Sequence, residues 1–147
     1  MAKRMLTCLT AAFGLLFLVA PAAQAEASVR ITSVGCVSHL SGDEGASDTT
    51  VDVEFNGSDF PRNTDVVATG NITYTDGTVI GKGSQTYTAR KVDSTDGSGE
   101  FSWTSNFTGG WTKYRPDVEI AMTFKVGLNS VLAEGTYLDV NCFRSGG

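Results

Sequence analysis

Apolar residues recur at every second position along most of this chain, and the alternating runs are separated by clusters of Gly, Asp, Asn and Ser. A period of two belongs to strands with one buried face, and no segment after the first 25 residues keeps the 3.6-residue period of a helix. The clearest run is Val118, Ile120, Met122, Phe124 and Val126, alternating with Glu119, Ala121, Thr123 and Lys125. It predicts a strand with one wet face. Val51, Val53 and Phe55 form a second set, ended by Asn56-Gly57-Ser58 and by Phe60-Pro61-Arg62-Asn63, where proline fixes φ and removes a ladder donor. Ile72 and Tyr74 share a phase in a strand over 66–74, and Asp76-Gly77 supplies the dipeptide of a primed hairpin turn. The return strand over 78–92 is weakened by Gly81 and Gly83, as expected of a bent or edge strand.

After a turn cluster at 93–99, Phe101, Trp103 and Phe107 fall on one parity, which assigns Trp103 to the core. Near the start, Val29 and Ile31 alternate, and the phase slips before Val34 and Cys36, predicting a bulge near Ser33. Residues 38–48 read as a long acidic loop, and Leu138, Val140 and Cys142 as a final inward-facing set. About seven strands with turn signals roughly every 8 to 15 residues predict an all-β chain, an antiparallel immunoglobulin-like sandwich.

The leader changes which residues this fold must accommodate. Lys3 and Arg4 precede an apolar and small stretch over 9–20, and Ala23-Gln24-Ala25 is a small-x-small cleavage signal, so residues 1–25 read as a signal peptide. The mature chain is then a single domain over 26–147, long enough to bury roughly two thirds of its unfolded surface. Cys8 leaves with the signal. Cys36 and Cys142 remain in a chain expected to be secreted, extracellular or periplasmic, where two thiols usually mean one disulfide. Both share the parity of inward residues, so the bond is expected to tie the first strand to the last. Closing about 107 residues restricts the unfolded chain by roughly 4 to 5 kcal/mol in the chain-entropy model.

Two segments carry a family resemblance. Gly57-Ser58-Asp59-Phe60-Pro61-Arg62-Asn63-Thr64-Asp65-Val66 is similar to the opening of many bacterial exported immunoglobulin-like domains, in which a glycine, a phenylalanine and a proline precede the next strand. Asp96-Gly97-Ser98-Gly99-Glu100-Phe101-Ser102 resembles the Asp-Gly-aromatic turn that those domains carry later. The resemblance implies a sandwich fold and an extracellular setting, and it carries over no catalytic residue. The terminal disulfide and the acidic first loop depart from the usual pattern.

Charge narrows the partners. Removing the leader takes two of eleven basic residues and none of sixteen acidic ones, leaving nine against sixteen, a net charge of −7. That sign argues against nucleic acid and anionic lipid. The leader's apolar core is too short to span a bilayer, no later segment is long enough, and no membrane anchor is expected in the mature chain. No cofactor or metal is expected.

Candidate chemistry is sparse. His39 is the only histidine, with Asp43 and Glu44 nearby, but a strained Gly-x-Ser-x-Gly turn is missing and a solvated loop histidine is the favoured reading. Asp43, Glu44 and Asp48, and again Asp93, Asp96 and Glu100, supply oxygens of the kind calcium takes; EF-hand spacing fails, which favours solvated turns. Glu54 and Glu119, the acids well inside strands, sit opposite in parity to apolar faces, so a glycosidase pair would need the fold to bring them together. Arg90-Lys91 reads as a strand end rather than a protease target, and sequons occur at Asn56, Asn71 and Asn106. Trp111-Thr112-Lys113-Tyr114-Arg115 stands out: Trp111, Lys113, Tyr114 and Arg115 crowd a segment between Gly109-Gly110 and Pro116. Amphipathic aromatics there suit a protein or glycan ligand, or a cover for the end of the core. The expectation is therefore not an enzyme but a binding or cell-surface interaction domain. The alternatives are a carbohydrate-binding module stacking sugars on Trp111 and Tyr114 and, more remotely, a secreted hydrolase.

Overall fold

A computed structural model describes residues 25–41, 46–75, 82–109 and 115–145. Eight strands and no helix occur among them: β1 (Ser28–Ser41), β2 (Ala46–Ser58), β3 (Asp65–Thr75), β4 (Lys82–Ser94), β5 (Phe101–Gly109), β6 (Asp117–Val126), β7 (Asn129–Tyr137) and β8 (Cys142–Ser145). They form two four-stranded sheets, ordered β5-β2-β1-β8 and β4-β3-β6-β7. All pairings are antiparallel except β1 with β8, which run parallel.

The alternation read from the sequence is the inner face of this sandwich. Val51, Val53 and Phe55 on β2, Val66, Ala68, Ile72 and Tyr74 on β3, and the five apolar residues of β6 are all buried in one cluster. Phe55 joins the two sheets, stacking on Trp103 at 5.5 Å and tilting against Phe124 of the opposite sheet at 5.0 Å. Trp103 is half-buried against this cluster, the core position its parity assigned. Bulges reconcile the strands with their neighbours. The register of β1 on β2 slips between Ile31 and Ser33, at the predicted phase break, so Val29 and Ile31 below it and Val34 and Cys36 above it all turn inward. β4 is an edge strand and carries two irregularities against β3. They set Tyr87 inward, where its hydroxyl meets Ser105 Oγ of the other sheet at 2.7 Å and closes that side of the sandwich.

Two expectations need correction. The acidic stretch 38–48 is mostly ladder: β1 continues to Ser41 and β2 begins at Ala46, with His39 opposite Asp48. Serine, aspartate and glycine dominate the stretch, and composition alone reads such a segment as loop although long-range pairing extends the ladder through both of its ends. Leu138 does not join Val140 and Cys142 in one inward row. The chain leaves the second sheet after Tyr137, bends with Asp139 at φ 52°, and re-enters the first sheet as β8, leaving Leu138 exposed. This switch is pinned by the Val140 N–H donating to the Pro116 carbonyl (2.9 Å) and the Asp139 N–H donating to Asp117 Oδ1 (3.0 Å). The switch also explains how β8 lies parallel to β1 without a crossover helix.

It brings Cys142 directly opposite Cys36, where the two form a disulfide with Cα atoms 4.4 Å apart, both side chains buried. The expected link between first and last strands is therefore present. Beyond it on the inner face, Ser38 and Thr49 face each other across β1 and β2, fully buried, and among the described residues neither hydroxyl has a hydrogen-bond partner.

The end of the sandwich at which β1 starts is cross-tied. The Phe60 N–H donates to the Gly99 carbonyl (3.1 Å), the Asn63 N–H to the Asp96 carbonyl (3.1 Å) and the Thr95 N–H to the Thr64 carbonyl (2.9 Å). Thr95 Oγ1 donates to the Pro61 carbonyl at 2.6 Å. The Phe60 and Phe101 rings meet at 5.7 Å. The two segments that carry the family resemblance are thus one packed unit. Gly99 is required there, because its φ is +80° and a Cβ would lie 2.2 Å from the Phe60 carbonyl oxygen.

Gly99→Ala is expected to cost at least about 2 kcal/mol in urea unfolding, and the double substitution C36S/C142S about 2 to 5 kcal/mol. Thr49→Val is expected to raise stability by about 1 kcal/mol, since it removes a buried, unsatisfied hydroxyl.

Candidate functional site

The direction of each strand follows from the pairing, and it places the ends of three connections together. Ser41 and Ala46, Thr75 and Lys82, and Gly109 at the end of β5 with Asp117 at the start of β6 all lie at the end of the sandwich opposite the cross-tied one. The frame is tight at this end. A Cβ on Gly109 would stand 3.1 Å from the Tyr74 hydroxyl and 3.3 Å from Gly83 Cα, so the two sheets touch where the connections leave them. Trp111, Lys113 and Tyr114 lie outside the described residues, as do Asp43, Glu44 and Asp76-Gly77. Arg115 is exposed in a bend, and Pro116 after it is buried and anchors the β7–β8 switch.

The remaining sequence candidates are dispersed. His39 is on a strand, not in a loop, and projects from the outer face of the first sheet. Its Nε2 is 3.3 Å from Thr50 Oγ1, which in turn is 2.8 Å from Thr108 Oγ1. Glu54 lies on the outer face of the first sheet and Glu119 on the outer face of the second, so the sandwich separates the two strand acids. Arg90 and Lys91 belong to β4 itself. Arg90 sits 5.8 Å above the Tyr87 ring, and Lys91 pairs with Asp65 at 2.7 Å. Asn56, Asn71 and Asn106 are all exposed on strands.

Asp93, Asp96 and Glu100 border an open cleft of about 670 Å³ at the cross-tied end, with Arg30 on its rim. The Asp93 and Asp96 carboxylates serve the turn. Asp96 Oδ1 accepts from the Ser98 N–H (2.8 Å) and the Glu100 N–H (2.9 Å), and Asp93 Oδ1 accepts from the Ser94 N–H (2.8 Å). Among the described residues no three His, Cys, Asp or Glu side chains converge on a point that would hold a metal. The backbone donors of Glu100 and then Ser98 hold the Asp96 carboxyl below its usual range, and Lys91 followed by Ser94 does the same for Asp65.

One arrangement escaped the sequence. On the outer face of the first sheet, Asn106 Nδ2 donates to Asp52 Oδ1 across β5 and β2, and Phe143 of β8 is 72% exposed beside Val37. None of these positions stands out in composition. Only the register of four strands, two of them from opposite ends of the chain, puts them on one face. No family model, curated protein or solved structure matches the chain.

A lowered carboxyl pKa gives stability that is present above the unfolded-state value of about 3.9 and lost as pH falls through the lower folded value. The native protein should therefore melt above Asp96→Asn at pH 6, and the gap should narrow progressively below about pH 4. Thermal melts of both proteins between pH 2 and 6 check this.

Proposed function

We propose that this chain is an exported, immunoglobulin-like domain whose role is noncatalytic binding at or outside the cell surface. The observation that carries the reading is the gathering, at one end of a tightly packed two-sheet frame, of the strand ends that flank three inter-strand connections. Binding residues are favoured on connections held by such a scaffold, because the scaffold fixes their positions without constraining their chemistry. The sequence of one of these connections supplies Trp111, Lys113 and Tyr114, side chains that combine apolar area with a polar or charged tip.

The strand order supports the immunoglobulin-like part. The first, second, fifth and eighth strands share one sheet, and the third, fourth, sixth and seventh share the other, an order that needs the chain to cross repeatedly between sheets as Greek-key sandwiches do. The Cys36–Cys142 bond supports an oxidising compartment, and with it the reading of residues 1–25 as a cleaved leader. No helix among the described residues is long and apolar enough to cross a membrane. A carbohydrate ligand stacked on Trp111 and Tyr114 is the second reading, favoured by the two amphipathic aromatics in that connection.

Mass spectrometry of the exported protein should find Glu26 at the amino terminus and Cys36 bonded to Cys142. Fluorescently labelled residues 26–147 should bind intact cells of the source organism, and W111A/Y114A should weaken that binding at least about tenfold while keeping the native melting temperature. Unfolding of the double variant would instead assign the two aromatics to covering the core, and intact binding would remove them from the site.

A further inference from the structure

The sheet edges are not equally protected. β4, at one edge of the second sheet, shifts register twice against β3 and carries Arg90 and Lys91, features that keep an edge from pairing with another chain. β5 is closed against β4 by the Tyr87–Ser105 contact, and β8 is four residues long. β7, the other edge of the second sheet, has none of these protections. Its nine residues pair with β6 without a register shift and contain no proline, no basic residue and a single acid, Glu134. The exposed large hydrophobic residues among those described are Leu128, Leu132, Leu138 and Phe143. The first three lie on β7 or directly at its two ends, with Leu132 in the middle at 55% exposure.

The backbone of β7 is set up to accept a strand. The two-residue turn Gly127-Leu128, with Gly127 at φ 59°, closes on the pair Val126 and Asn129. Alternate residues from Asn129 onward therefore bond to β6, and Ser130, Leu132, Glu134 and Thr136 turn their N–H and C=O groups to the open side. Only another extended chain satisfies such a row along its length.

We infer that β7 pairs with β7 of a second copy of this chain, antiparallel about a twofold axis at Leu132, joining two four-stranded sheets into one of eight. This register is the one its side chains favour. It sets Leu132 against Leu132 of the second copy and Ser130 against Glu134 of the second copy. An axis at Ala133 would set Leu132 against a carboxylate, and an axis at Glu134 would set two carboxylates together. Charge complementarity selects the same arrangement. Lys125 lies beside Ser130 on the outer face of β6, so the row becomes Lys125, Ser130, then Glu134 of the second copy. Two strand spacings separate the charged residues by about 10 Å between Cα atoms, a span that a lysine and a glutamate bridge over the small serine. Within one copy, Lys125 and Glu134 are four residues apart along the ladder, since Glu134 pairs with Ala121, and they do not reach each other. The inference goes beyond the binding role proposed above and does not depend on it.

The test is sedimentation equilibrium of residues 26–147 at concentrations up to about 1 mM, which should show a monomer–dimer equilibrium. Leu132→Lys and Lys125→Glu should each weaken dimerisation about tenfold or more, and K125E/E134K should restore it to within about threefold of the native value. All three side chains are exposed, so the dilute variants should keep the native melting temperature. In hydrogen exchange, the Leu132 and Glu134 amides should slow only in the dimer, whereas Val131 and Ala133, bonded to β6, should be slow in both states. A monomer at every concentration overturns the inference, as does a dimer indifferent to both single substitutions. Failure of the charge swap to restore a dimer lost in Lys125→Glu overturns the register. Each of these failures leaves the cell-binding test of W111A/Y114A untouched.

Discussion

Packing of the two inner faces across Phe55 and Phe124 is the constraint on which the other features depend. Phe55 is fully buried on β2 and touches Trp103 on its own sheet and Phe124 on the facing one, while Phe124 also meets Phe101 at 5.5 Å. Because side chains alternate across a strand, sliding β2 or β6 by one residue would turn this whole set to solvent. The aromatic contacts therefore fix register as well as sheet separation. Where a strand cannot keep both its ladder and its inward phase, the chain bulges: once in β1 between Ile31 and Ser33, and twice between β3 and β4.

Once the sheets are locked face to face, what differs around the molecule is how each margin is closed. The β4–β5 side is sealed by Tyr87, whose ring packs edge-on against Trp103 and whose hydroxyl reaches Ser105. The opposite side is closed by the strand that changes sheets after Tyr137 and by the bond from Cys142 to Cys36. At the cross-tied end, backbone hydrogen bonds leave no freedom between the 59–64 and 95–100 segments. The surfaces that do not hold the frame together are the opposite end and the outer faces.

The outer face of the first sheet shows how strand order gathers residues from distant parts of the chain onto one surface. Asp52, Asn106, Val37 and Phe143 come from four strands, and the parallel placement of β8 beside β1 is what brings Phe143 onto the same face as the other three. A disulfide that contributes to stability thus also positions the exposed aromatic, because Cys142 and Phe143 are adjacent and point to opposite faces of one strand.

Alternation of apolar residues was sufficient to read the all-β class, the inner faces of β2, β3, β5 and β6, and the bulge in β1, because each depends on a local period of two. The pairing of Cys36 with Cys142 was legible for the same reason, their parity being inward and no other cysteine lying beyond residue 25. Where local composition and long-range pairing disagree, the sequence misled. Residues 38–48 look like a loop and are largely ladder, and Leu138 looks inward and lies exposed where the chain changes sheets. The separation of Glu54 from Glu119, the use of Asp96 as a turn acceptor and the pairing of Asp52 with Asn106 were decided only by the tertiary structure. Each is a relation between residues distant in the chain or set by backbone geometry, and a one-dimensional pattern carries neither.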